Sequence, residues 1–223
     1  MIKGPHQGQP VLAAGSPLTV AHAAMVMIHG RGASADSILS LAPALNQPGF
    51  AYLAPQARGN TWYPYSFLAP IEQNEPGISS GMAAIDSVLS ELASAGIPLE
   101  RTMLLGFSQG ACLTLEYAAR HARRYGGVVG LSGGLIGPDG TPRDYAGSFE
   151  QTPVFLGCSD VDAHIPVERV RLSEQVMRQL GGNVTTRIYP GMGHLINDDE
   201  LNAVRAMMEV VAQQGTMDGS RRV

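Results

Sequence analysis

Six short apolar runs recur along the chain, at residues 24–28, 50–53, 102–107, 127–131, 154–156 and 184–189. Each is strand-length and partly β-branched, the pattern of strands buried on both faces of a parallel sheet. Between them lie stretches with helical periodicity, at 35–45, 79–95, 109–124, 167–180 and 198–213. In the second of these, Met82, Ile85, Val88, Leu89 and Leu92 fall on one stripe, which predicts an amphipathic helix. Gly181-Gly182 ends the fourth as a C-cap pair. Residues 11–20 predict an edge hairpin. The alternation of strand and helix predicts an α/β protein with a doubly wound, mostly parallel sheet and helices on both faces. There is no internal repeat or low-complexity tract, so residues 1–223 read as one domain, with a flexible tail from about residue 214.

Two stretches fit no element and exceed ordinary connections. Residues 55–78 hold the single tryptophan, Trp62, with Tyr63, Phe67 and Leu68 close by. This segment is expected either as a substrate-binding wall or as an aromatic plug over the core. The second stretch covers residues 132–152.

The chemistry concentrates in Gly106-Phe107-Ser108-Gln109-Gly110, between an apolar strand pattern and an alanine-rich helical one. Strand, sharp turn and helix form the context in which G-x-S-x-G exposes a nucleophilic serine. Glycines are required because the two backbones approach too closely for side chains. The helix also aims its free N–H groups and positive dipole end at the serine, where an oxyanion would develop. A serine needs a base and an orienting acid. Two further strand patterns end in such groups: Asp160 and Asp162 after the fifth, and His194 after the sixth. Carboxyl ends of parallel strands are where open α/β sheets build their sites. By position alone, either aspartate reaches the site.

Four stretches together, Ile28-His29-Gly30-Arg31-Gly32, the G-F-S-Q-G segment, Asp162-Ala163-His164-Ile165-Pro166 and Gly191-Met192-Gly193-His194, resemble the phospholipase/carboxylesterase family of α/β-hydrolases. These are small serine esterases that include acyl-protein thioesterases. The resemblance runs from position 28 to 194. It implies Ser108, Asp162 and His194 as nucleophile, acid and base, and selects Asp162 over Asp160 by its distance from Pro166. Asp160 becomes a loop-stabilising or capping residue. Backbone N–H groups of Arg31 and Gln109 are the expected oxyanion donors, with His29 packing behind that loop. Substrate contacts are expected from Trp62, Tyr63, Phe67, Leu68 and Ile165. About twenty residues at 132–152 are too few for the separate lid that many such folds carry, so no large lid domain is expected. The chain departs from the family at Arg31, where an apolar residue is usual, and mildly at Ile165, where valine is common. The arginine is expected either to be solvated and paired with Asp36, or to read a negative charge on the substrate.

Composition narrows the field. A net charge of −4 leaves no basic footprint for nucleic acid, and no apolar run approaches the ~20 residues of a membrane span. The N-terminus lacks a signal-peptide layout, and residues 220–223 read as a frayed polar tail. Cys112 and Cys158 are expected as buried, reduced thiols of a cytoplasmic protein. Neither they nor the six histidines have metal-site spacing, so no cofactor or metal is expected. The reading is therefore an enzyme, a serine hydrolase acting on a small-molecule ester or thioester, and a homodimer is compatible with it. Short- to medium-chain carboxylic esters are favoured. An acyl-protein thioesterase or lysophospholipase with the same residues is the alternative, in which Phe67, Leu68, Ile71, Leu135 and Ile136 would line a long groove. A non-catalytic binding module is the remote third reading.

Overall fold

The computed structural model describes residues 4–219. Seven strands form one sheet: β1 (Val11–Gly15), β2 (Ala23–Ile28), β3 (Phe50–Pro55), β4 (Thr102–Phe107), β5 (Gly127–Leu131), β6 (Pro153–Ser159) and β7 (Asn183–Tyr189). Their order is β1-β3-β2-β4-β5-β6-β7. All neighbours are parallel except β1 and β3, which are antiparallel. The expected hairpin at 11–20 is a single edge strand instead. Pro17 follows Gly15 closely and accepts from the N–H groups of Val20 and Ala21, closing a turn. Having no N–H of its own, proline cannot extend a ladder.

Helices cover both faces. They are α1 (Ala35–Leu39), α2 (Ala42–Leu45), α3 (Gly77–Ser94), α4 (Gln109–Arg120), α5 (Val167–Gln179) and α6 (Asp198–Gly219). The pattern at 35–45 predicts one helix, but Pro43 lies in the first turn of α2. Its ring would clash with the carbonyl of Leu39, the last residue of α1, and it offers that carbonyl no donor. The helix breaks there. The C-terminal helix continues past residue 213 to Gly219, and the reading of 220–223 concerns residues outside those described. At the end of α5, Gly181 (φ 80°) donates to Arg178 and Gly182 to Met177, the paired bonds of a Schellman cap.

The core is split by the sheet. Val26, Ile28, Leu104, Val128 and Leu156 face α3, α4 and α5, and the predicted stripe of α3 packs among them. On the other face Met25, Met27, Leu105, Val129 and Phe155 meet residues of α1, α2 and α6. The central strands β2, β4 and β5 are buried almost throughout, as their lack of alternation predicts.

Among the described residues, no large lid stands over the sheet. Residues 132–152 are tied down by buried polar groups. Glu116 on α4 accepts from the Ile136 N–H (3.0 Å), Tyr145 Oη (3.0 Å) and Arg143 Nη1 (3.4 Å). Arg169 on α5 donates to the Leu135 and Gly137 carbonyls and pairs with Asp139 at 2.8 Å. Among the described residues, no helix is long and apolar enough to cross a membrane, and no group of three or more His, Cys, Asp or Glu could hold a metal ion.

Candidate active site

Ser108 joins β4 to α4 with φ 56° and ψ −122°, a conformation that costs a residue with a side chain of order 1–3 kcal/mol. The surroundings over-determine it. The Ser108 N–H donates to the Leu131 carbonyl (2.9 Å), and its own carbonyl accepts from the Cys112 N–H (3.0 Å). The flanking glycines are a packing necessity: a Cβ on Gly106 would collide with the backbone of Gly110, and one on Gly110 with the carbonyl of Ile28.

His194 arrives on the loop after β7. Its Nε2 lies 2.8 Å from Ser108 Oγ, and its Nδ1 lies 2.7 Å from Asp162 Oδ2. With Nδ1–H donating to the carboxylate, Nε2 is left as the acceptor for the serine hydroxyl. Asp162, on the loop after β6, has a side chain with no exposed surface. Its other oxygen accepts from the N–H groups of His164 (2.8 Å) and Ile165 (3.1 Å). Burial alone would raise its pKa. The hydrogen bonds from His194, His164 and Ile165 outweigh that and hold it below the ordinary carboxylate value.

Asp160 serves differently. Its Oδ1 accepts from the Gly191 N–H at 2.8 Å, and Ser159 Oγ accepts from Gly193 at 3.1 Å. These two side chains tie the histidine loop to the acid loop. Behind both, Glu200 closes a reciprocal cap with Asn197: its Oε2 accepts from the Asn197 N–H, and its own N–H donates to Asn197 Oδ1, each at 2.9 Å.

On the opposite side of Ser108, Gln109 is the first residue of α4, so its N–H has no acceptor within the helix. No acceptor is found for the Arg31 N–H among the described residues. His29 sits behind this loop, fully buried. It accepts from the Ala57 N–H at Nε2 (3.1 Å), and its Nδ1 meets the Gly30 carbonyl (2.8 Å). Burial lowers its pKa and keeps the imidazole neutral.

A cavity of about 420 Å³ opens onto these groups. Tyr63, Phe67 and Ile165 line it, with Arg31, Ser108, Gln109 and His194. Trp62 and Leu68 do not. Trp62 is wholly buried, its indole N–H donating to the His29 carbonyl at 2.8 Å, and Leu68 is half-buried against the core. The 55–78 segment is thus plug at Trp62 and wall at 63–67. Leu135 and Ile136 are also fully buried and outside the cavity wall. Sequence reasoning missed Pro64, Tyr65, Ser66 and His164 as lining residues, and passed over Cys112 as core. Cys112 carried a signal, one helical turn beyond Ser108. Burial pushes its thiol up to about 12, so it stays neutral.

Two side chains do more than expected. Gln109 accepts from the Trp62 N–H (2.9 Å) and donates to the Tyr63 carbonyl (2.8 Å), locking the wall to the turn that carries Ser108. Arg31 does not pair with Asp36. Its Nη1 and Nη2 donate to the Pro64 (2.8 Å) and Tyr65 (2.5 Å) carbonyls, and the guanidinium lies 5.9 Å from the centre of the Tyr63 ring.

The sequence profile of one family, phospholipase/carboxylesterase, matches residues 11–212. The chain belongs to the phospholipase/carboxylesterase family. As a member it is a hydrolase, and its sheet and helices are those of the α/β-hydrolase fold. It is similar to acyl-protein thioesterase 1 of Yarrowia lipolytica, with 29% identity over 86% of this chain and 94% of that one. Its similarity to acyl-protein thioesterase 1 of Gibberella zeae is 30% identity over 61% of this chain and 59% of that protein. A phospholipase/carboxylesterase from Dyadobacter fermentans superposes with a TM-score of 0.87 at 43% identity, covering 90% of this chain and 96% of that one. Acyl-protein thioesterase 2 of Zea mays shares the fold, with a TM-score of 0.70 at 20% identity over 91% and 99% of the two chains.

Proposed function

We propose that this phospholipase/carboxylesterase family member hydrolyses short- to medium-chain carboxylic esters through an acyl-enzyme on Ser108. The observation that carries the reading is the unbroken hydrogen-bonded chain from Asp162 through His194 to Ser108 Oγ, opening on the cavity. Ser108 Oγ attacks the acyl carbon as His194 Nε2 takes its proton. The carbonyl oxygen, now negative, is received by the N–H groups of Arg31 and Gln109. His194 returns the proton to the departing alcohol, and a water repeats the sequence to release the acid. Asp162 holds the tautomer that makes Nε2 the base and stabilises the imidazolium that forms. Tyr63, Phe67 and Ile165 form the acyl or alcohol pocket.

The preference for short to medium acyl groups rests on the burial of Leu135 and Ile136, which removes them from any extended groove. Thioester hydrolysis is the second reading, favoured by the likeness to acyl-protein thioesterases. The free cysteines Cys112 and Cys158 support a reducing compartment such as the cytoplasm.

Turnover of aryl esters and thioesters of increasing acyl length is the test. Ser108→Ala and His194→Ala are expected to lose ~10⁴-fold or more in kcat, and a fluorophosphonate probe to label the parent but not Ser108→Ala. Near-parental rates in either variant would remove the assignment. A kcat/KM that climbs steadily to long acyl chains would replace the short-chain reading with the thioesterase-like one.

A further inference from the structure

Arg31 is the one permanently charged side chain in the cavity wall, and no carboxylate lines that wall with it. Its partners are two neutral carbonyls, Pro64 and Tyr65, which orient the guanidinium without cancelling its charge. Two donated bonds also leave part of its five-donor fork over. Among the described residues Arg31 makes no ion pair, and the side chain is exposed at the mouth. The carboxylate beside His194, Asp162, has no exposed surface, and its oxygens are taken by His194, His164 and Ile165. The other ionisable lining groups are His164, His194, Tyr63, Tyr65 and Cys112, and burial keeps the Cys112 thiol neutral. On a chain of net charge −4, this mouth is locally electropositive. Its cation is held by these two bonds before any substrate binds.

We infer that Arg31 selects esters bearing a carboxylate, held by the guanidinium while the ester carbonyl sits at Ser108. This rests on the ester-hydrolase reading above and names the substrate class of the same site. A guanidinium already held by carbonyls is pre-organised for a carboxylate, and such charge-assisted contacts are about twice as strong as neutral ones. The charge lies at an open mouth, so added salt weakens the selection.

The experiment compares matched ester pairs: an aryl hemisuccinate against its methyl ester, which carries the anion on the acyl side, and an acetylated hydroxybenzoate against its methyl ester, which carries it on the alcohol side. The readout is the ratio of kcat/KM for the anionic member over the neutral one. That ratio is expected to exceed one for at least one pair, to fall roughly five- to thirtyfold in Arg31→Gln, and to be largely kept in Arg31→Lys. In the parent it is expected to shrink between low and 0.5 M KCl. Because both members of a pair share any damage to the wall, loss of the Pro64 and Tyr65 contacts alone leaves the ratio unmoved. A ratio that Arg31→Gln and salt leave unchanged in both pairs overturns the inference and spares the function. Hydrolysis of either pair by Ser108→Ala overturns the function itself.

Discussion

The two long segments that fit no element in sequence, 55–78 and 132–152, are anchored alike, yet serve opposite ends. Each is held by polar side chains reaching backbone groups. Residues 62–67 hang on Gln109, Arg31 and Asn74, the last accepting from the Tyr65 N–H and donating to the Ser66 carbonyl, each at 2.8 Å. Residues 135–145 hang on Glu116, Arg169 and Ser173. The difference lies in where the anchors stand. Gln109 follows Ser108 directly and Arg31 lines the same cavity, so the first segment's position is the cavity's shape. Glu116 and Arg169 sit farther along α4 and α5, and the second segment is scaffold. Anchoring near Ser108 turns a loop into a cavity wall; anchoring away from it turns it into a cover.

The largest effect should fall on the scaffold. Glu116→Ala strands the Arg143 charge and the Ile136 N–H in a buried site, and is expected to cost about 3–5 kcal/mol, lowering Tm on the order of 10 °C. Activity per folded molecule should stay within a few fold of the parent, measured by kcat/KM below the transition. A large catalytic loss at full folding would break the contrast between cover and wall.

The histidine loop offers a third case. Glu200 beneath it is fully buried like Glu116, but its Oε1 has no partner, and burial pushes its pKa up to about 7. A carboxyl whose folded pKa is raised keeps its proton longer in the folded state. Its contribution is full below the ordinary value of 4.5 and is lost as pH rises toward about 7. Stability should therefore decline by about 3 kcal/mol across that window, and Glu200→Gln, which preserves the Asn197 cap, should remove the decline. Parallel stability–pH curves for the two proteins would sink this account.

On the wall, Gln109→Ala frees the Trp62 N–H and the Tyr63 carbonyl while leaving the Gln109 backbone donor in place. We expect ~10²-fold lower kcat/KM for all esters alike, since misplacement rather than lost chemistry is the cause. Loss confined to one acyl length would instead make Gln109 a direct substrate contact. Smallest of all, Tyr65→Ala at the exposed rim should change kcat/KM roughly two- to fivefold for the longest esters turned over, with Tm unchanged.

How much of this was legible beforehand depends on the range of the forces involved. Strand and helix positions were readable because burial on both sheet faces imposes apolar runs on neighbouring residues. The turn around Ser108 was readable because its glycines answer a steric demand set within five residues. Only the folded chain could reveal which part of 55–78 is plug and which is wall, and that His164 lines the cavity.

The sequence by itself determined the order of strands and helices along the chain, the elbow geometry and the three chemically apt side chains at strand ends, because each follows from local backbone limits or hydrophobic period. The tertiary structure alone decided what those side chains meet. The contact from His194 to Ser108 spans 86 positions and that from Gln109 to Trp62 spans 47. Arg31 exchanged the expected Asp36, five residues away in sequence, for carbonyls more than thirty positions distant. A helix-terminal glutamine or a loop arginine has many equivalent partners in sequence. For Gln109 close packing leaves one arrangement, because the Trp62 N–H and the Tyr63 C=O are buried within its reach.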